Sequence, residues 1–205
     1  MIYSIKTQKA SLFAQLAHES INQKRKYSGQ DYFTHCKEVA EIVKSTGAND
    51  DVISAAFLSD ILEDVTPLNP HYSKELIKKE FGEKVLNLVI ECTNVYTRED
   101  YPNLSRAERK NLEANRLEKV SDEAKLIKLA DIISNLRDGL LENNREFAKV
   151  YFKEKLNLLG PLSDGNHYLL KIASDIILSG LKELEVEIPK VAVTRKALEV
   201  EHSSL

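Results

Sequence analysis

Apolar residues recur at helical spacing along almost the whole chain. Leu12, Leu16 and Ile21 mark a first helix, and Val39, Ile42 and Val43 mark a second, which Gly47 can end in a left-handed conformation. Asn49, followed by Asp50 and Asp51, reads as an N-cap with acid in the first turn. The helix it opens carries Val52, Ile53, Ala56, Phe57, Ile61 and Leu62, and its pattern runs until Pro67. Ser73 predicts the cap of a short helix ending near Gly82, and Val85, Leu86, Val89 and Ile90 predict another. Thr97 to Pro102 is polar and predicts a loop. Ser105 with Glu108 then spells a capping box before a long charged helix. Leu126, Ile127, Leu129, Ala130, Ile133 and Leu136 give a strongly apolar helix ending near Gly139. Two more helices follow, around 144–159 and 164–184, divided by Gly160-Pro161. From Val186 onward, Val and Ile alternate with polar residues, which leaves a strand, an extended arm or a frayed tail open. The pattern predicts an all-α, compact helical bundle: one domain over residues 1–185 and a C-terminal arm or tail over 186–205.

Composition narrows what such a bundle can do. With 205 residues, 42% hydrophobic and 30% charged, the chain can bury a core without covalent staples. Seven Gly, five Pro and no Trp argue against a turn-rich β architecture. A net charge of −3 sets up no global field toward nucleic acid or an anionic membrane, so neither is an expected partner. A polyanionic ligand must instead meet a local basic patch. Two cysteines, Cys36 and Cys92, give no disulfide framework. The N-terminal segment lacks a signal-peptide pattern, and no stretch approaches the ~20 apolar residues of a membrane span. The expectation is a cytoplasmic protein.

Three segments place acids or a histidine on otherwise apolar helices. YFTHCKEVA sets His35 at a helix start; AAFLSDILEDV carries Asp60, Glu63 and Asp64; KLADIISNLRD carries Asp131 and Asn135. Buried carboxylates are rare unless paired or metal-bound. The spacing of four puts Asp60 and Asp64 on one helix face, and likewise Asp131 and Asn135. Taken singly, each has a structural reading: a satisfied histidine, or the solvated face of an amphipathic helix. Together, one histidine and two helix-borne aspartates are nitrogen and oxygen ligands suited to a divalent ion such as Mn²⁺. Ahead of His35, INQKRKYSGQDYFTH gathers Lys24, Arg25 and Lys26, a run that suits either phosphate binding or a helix C-terminus.

The order of these motifs resembles a known family. A basic RK pair, SGxxYxxH, AAxLxDxxED, an AERK-like helix and KLADxxxNLRD, running from about Gln23 to Arg137, resemble the HD hydrolase domain of RelA/SpoT-type alarmone enzymes and the stand-alone small alarmone hydrolases. The resemblance implies an HD-domain helical bundle that removes the 3′-pyrophosphate of guanosine tetra- or pentaphosphate, giving GDP and pyrophosphate from ppGpp. It implies His35, Asp60 and Asp131 as ligands of Mn²⁺ or another divalent cation. Glu63 and Asp64 would hold and activate water. Arg25, Lys26, Asn135 and Tyr151 would bind the small-molecule nucleotide.

One departure touches the metal itself. The family's His-Asp pair reads Ser59-Asp60 here, so one ligand position holds a weak, short hydroxyl. Cys36 and Gln30-Asp31 also stand where the family has prolines. Three readings stay open: an active metal-dependent phosphohydrolase, with Ser59, water or a residue such as His71 filling the vacancy; a degenerate domain that binds a nucleotide as sensor or regulator; and a helical domain without a ligand. A homodimer is among the assemblies the sequence leaves open.

Overall fold

A computed structural model of the chain describes residues 3–138 and 144–186. The expected helix end at Gly139 and the expected arm beyond Val186 lie outside the described residues. Nine α-helices account for most of the described chain: α1 Ile5–Ser20, α2 Phe33–Ser45, α3 Asp50–Leu58, α4 Lys74–Phe81, α5 Glu83–Cys92, α6 Arg106–Leu117, α7 Asp122–Leu136, α8 Arg145–Leu158 and α9 His167–Glu183. No strand occurs among the described residues, only an isolated antiparallel bridge between Lys24 and Asp31. No described helix is long and apolar enough to cross a membrane.

Helix boundaries follow local chemistry. Asn49 opens α3 by accepting from the amides of Asp51 and Val52 at 3.0 and 3.2 Å. Ser73 caps α4 through the Leu76 amide, and Ser105 and Glu108 form the reciprocal capping box of α6. Gly47, which follows α2, and Gly82, between α4 and α5, both take positive φ, where a side chain would be strained.

α7 is the central helix. It packs against α2, α5 and α9, while α3 packs against α1, α2 and α5. Apolar side chains therefore surround α7 on nearly every side, and Ile127, Leu129, Ala130, Ile132 and Ile133 are fully or almost fully buried. A helix buried all round has no solvated face for its polar residues. Lys128, Asp131 and Ser134 are accordingly buried as well.

The segment expected as one helix from Asn49 to Pro67 is divided. α3 stops at Leu58, and Ile61–Val65 forms a π-helical turn, in which the Thr66 amide reaches back five residues to the Ile61 carbonyl at 2.9 Å. The wider turn interrupts the helix, although the Asp64 amide still reaches the Asp60 carbonyl four residues back at 2.9 Å, which keeps the expected spacing of these two acids. The hydrophobic positions hide this change, because Ile61 and Val65 are both fully buried, as an α-helix would also allow.

Candidate active site

His35, Asp60 and Asp131 come together from α2, the turn after α3 and α7. One ligand atom from each lies within 4.8 Å of the others. His35 Nε2 is 3.3 Å from Asp60 Oδ2 and 3.2 Å from Asp131 Oδ1. The other face of the ring is fixed. Ser134 Oγ donates to Glu38 Oε2 at 2.6 Å, so its oxygen accepts from His35 Nδ1–H at 2.9 Å. Nε2 is thereby turned toward the two carboxylates. It is buried, yet no directed hydrogen bond satisfies it.

Charges in this trio are mutually dependent. Burial pulls the His35 pKa down, but Asp131 and Asp60 outweigh it and carry it up to about 9. Burial alone would raise Asp60 and Asp131; the His35 ring and the Lys128 ammonium reverse this and hold both below the usual carboxylate range. Lys128 lies 3.7 Å from Asp131 Oδ2 and donates to the Cys92 carbonyl at 3.2 Å. Asn135 Nδ2 donates to Asp131 Oδ1 at 2.6 Å, and the Tyr32 hydroxyl donates to Asp60 Oδ2 at 3.0 Å.

The π turn spreads the remaining two acids. Glu63 accepts from the Asn94 amide at 3.1 Å and from its side-chain nitrogen at 2.8 Å. Asp64 accepts from Gln23 Nε2 at 2.8 Å, and Gln23 Oε1 accepts from His18 Nδ1–H at 2.6 Å. Burial, then the Asp60 charge, lifts Asp64 to about 7, while the Gln23 hydrogen bond acts the other way. Burial pulls His18 the opposite way, below the ordinary histidine value.

Part of this cluster lines a cleft of about 510 Å³. Asp60, Glu63, Asp64 and Asp131 line the floor, and Asn135 and Tyr151 also line the cleft. The facing wall is basic: Arg106 and Lys110 from α6, Lys153 and Lys155 from α8. The expected basic wall at Arg25 and Lys26 is not where the cleft has its cations. Arg25 is buried and committed to protein partners: Asp138 at 2.8 Å, Glu38 at 3.3 Å and the Ser134 carbonyl at 2.8 Å. Lys26 sits over the rings of Tyr27 and Phe147, at 5.4 and 5.2 Å. Neither lines the cleft.

Ser59 does not fill the vacant ligand position. It is buried, and its hydroxyl donates to the Ala56 carbonyl at 3.2 Å, turned back on its own helix. His71 is exposed and also lies outside the lining. Sequence reasoning missed Gln23, His18, Asn94 and most of the basic wall. Tyr32 and Lys110 had a signal, since both fall inside the quoted SGxxYxxH and AERK motifs; Gln23 and Asn94 had none, because polar loop residues are common everywhere.

The HD-domain family model matches residues 10–163, and the chain belongs to that family. Similar curated proteins carry the name guanosine-3′,5′-bis(diphosphate) 3′-pyrophosphohydrolase. That of Xenopus tropicalis is 36% identical over 129 residues, covering 61% of this chain and 66% of the relative. That of Drosophila melanogaster is 38% identical over 120 residues, covering 57% and 61%. The chain thus spans just under two thirds of these relatives. A solved structure described as a metazoan ortholog of SpoT that hydrolyses ppGpp superposes with TM-score 0.72 at 28% identity, covering 87% of this chain and 97% of that one. A protein of Listeria monocytogenes shares the fold alone, with TM-score 0.60 at 22% identity.

Proposed function

We propose that this protein hydrolyses the 3′-pyrophosphate of guanosine 3′,5′-bis(diphosphate), yielding GDP and pyrophosphate, with Mn²⁺ or a similar divalent cation. The observation that carries the reading is the buried, unsatisfied His35 Nε2, held 3.2–3.3 Å from two carboxylates on the floor of a basic-walled cleft. One neutral nitrogen and two carboxylate oxygens are a donor set that fits such an ion. When bound by His35, Asp60 and Asp131, it would supply charge neutralisation for the phosphoryl oxygens and acidify water.

The chain's own residues do the rest. Asn135 and Lys128 hold Asp131, Tyr32 holds Asp60, and the Glu38–Ser134 pair holds the His35 ring, so each donor is oriented in advance. Asp64 takes the proton of the attacking water. Its pKa near 7 keeps it a competent base around neutrality, where an ordinary carboxylate is too weak. The water oxygen bonds to the phosphorus nearest the ribose, the bond from that phosphorus to the 3′-oxygen breaks, and the 3′-oxygen leaves with a proton. Glu63, pinned by Asn94, positions the water. Product analysis tests this. Incubation with guanosine 3′,5′-bis(diphosphate) and Mn²⁺ should give GDP and pyrophosphate in equal amounts, and a chelator should stop it. Release of single phosphates instead would reject the proposed bond.

A second reading draws on Ser59. Because its hydroxyl faces Ala56, three side chains rather than four converge on the ion position. A domain so altered binds a nucleotide while turning it over slowly, as a sensor would. Tight nucleotide binding without cleavage across a Mn²⁺ titration would favour it.

A further inference from the structure

α6 carries two of the wall's cations, Arg106 and Lys110, yet little of it enters the core. Of its residues only Glu113 and Leu117 are buried. A buried carboxylate on a helix otherwise turned to solvent has to be satisfied by partners. Glu113 Oε1 accepts from Arg116, one turn further on, through Nε at 2.8 Å and through Nη2 at 2.5 Å. The other oxygen looks away from the helix. Glu113 Oε2 accepts from the backbone amides of Val95 and Tyr96, at 3.1 and 3.3 Å. Arg116 reaches the same stretch of chain, donating to the carbonyls of Glu91 and Thr93 at 3.0 and 3.1 Å.

These bonds bracket Asn94. Arg116 holds carbonyls before it, and Glu113 holds the two amides after it. Asn94 is itself the residue that grips Glu63, with its backbone amide on Oε2 and its side-chain nitrogen on Oε1. Because one residue supplies both donors, the main chain at 94 sets where that carboxylate sits and how it is turned. The segment lies between α5 and α6, outside any helix, so no helical hydrogen bonds of its own hold it there. A path of hydrogen bonds therefore runs from the wall helix, through the Glu113–Arg116 pair and Asn94, to an acid on the floor. The pair depends on its charge. A glutamine at 113 would fit the space, but it has a single acceptor oxygen, and its NH₂ group would face the guanidinium donor against donor.

We propose that Glu113, backed by Arg116, is a positioning residue for the hydrolysis: through Asn94 it fixes Glu63, and so couples the placement of the wall helix to that of the attacking water. This rests on the phosphohydrolase reading, which gives Glu63 the water to position. A plainer role for the pair would be to cap α5, since Arg116 meets carbonyls at that helix's end. A cap contributes stability alone. A positioning residue acts on the chemical step, and kinetics separate the two.

Glu113→Gln keeps the size of the side chain and removes its charge. Measured on the full chain with guanosine 3′,5′-bis(diphosphate) and Mn²⁺, kcat should fall by about 10- to 100-fold, the scale of a ~1 Å misplacement near the chemistry, while KM stays near the parent's. Arg116→Lys, which keeps the charge but loses the planar fork, should fall between the parent and Glu113→Gln. Asn94→Ala should lose activity to a similar extent, and Glu113→Gln/Asn94→Ala no more than the larger single loss, because both act through Glu63. Circular dichroism confirms that each variant is folded. An unchanged kcat in folded Glu113→Gln, a rise in KM alone, or losses that multiply in the double variant overturn the proposal. Should the parent release no pyrophosphate, the hydrolase reading falls, and the coupling is read without turnover. The ¹⁵N side-chain amide resonances of Asn94, assigned against Asn94→Ala, report its bond to Glu63. A shift of these resonances in Glu113→Gln upholds the coupling, and unmoved resonances overturn it.

Discussion

His35 sets the behaviour of the floor. In the cation-free protein its pKa is about 9, so near neutrality the ring is an imidazolium between two carboxylates. A cation must displace the Nε2 proton, because only the neutral ring has a lone pair to donate. Mn²⁺ added to a weakly buffered sample at pH 7 should release about one proton per site, and affinity should rise with pH until about 9. Binding that is independent of pH would place the ion elsewhere. The same shift links pH to stability. Because the folded pKa lies above the unfolded 6.5, the stabilising contribution is complete below pH 6.5 and is lost as pH rises through about 9. Melting temperature in chelator should therefore fall over that interval, and Mn²⁺ should flatten the decline.

Asp64 carries the second residue-scale prediction. Its deprotonated form is the base, so the rate should climb as pH passes through about 7. The hydrogen bond from Gln23 favours the charged form. Gln23→Leu should push the acidic limb of the pH–rate profile to higher pH while leaving the protein folded. An unmoved limb would remove Asp64 as the base. At this scale the chemistry was largely legible. His35, Asp60 and Asp131 stood out because polar residues on apolar helices need a reason. Arg25 did not announce its true surroundings. Asp138, 113 positions away and recorded only as part of NLRD, supplies its partner at 2.8 Å.

At the level of elements, Arg25 joins the start of α2 to the end of α7. It pairs with Asp138 and Glu38, and Glu38 in turn orients Ser134 and His35. Arg25→Ala leaves the buried Asp138 without its cation, while Glu38 keeps Arg137 at 3.3 Å, and should cost about 3–5 kcal/mol by denaturant titration; a loss under about 1 kcal/mol would mean water replaces the guanidinium freely. The docking of α8 on α9 depends on Gly180, where an added Cβ would meet the Phe152 ring at 2.1 Å. Gly180→Ala should destabilise by about 1–3 kcal/mol and loosen the wall that carries Tyr151 and Lys155. An unchanged denaturation midpoint would show that Phe152 repacks without cost. Helix ends were readable from Asn49, Ser73, Ser105 and Gly82, since capping is local chemistry. The π turn was not, because its cause lies in what Asp60, Glu63 and Asp64 must each reach: His35, Asn94 and Gln23, on three separate parts of the chain.

For the molecule as a whole, the buried central helix and the π turn after α3 together bring acids to the floor of a cleft whose opposite wall is basic. The net charge of −3 conceals that division, as an average must. The family match over residues 10–163 agrees with the ordered motifs, while Ser59 stands apart from them. Central to the account is that the floor binds a divalent cation and hydrolyses the 3′-pyrophosphate despite that serine. The most direct measurement is pyrophosphate release from guanosine 3′,5′-bis(diphosphate) across a Mn²⁺ titration, with the parent beside Ser59→His. The parent should show saturable, cation-dependent release that needs high Mn²⁺. The histidine should lower the half-saturating concentration by more than about 10-fold, as expected when a ligand to the ion itself is restored. If both proteins fold and bind the nucleotide, yet neither releases pyrophosphate at any Mn²⁺ concentration, the site is not a phosphohydrolase.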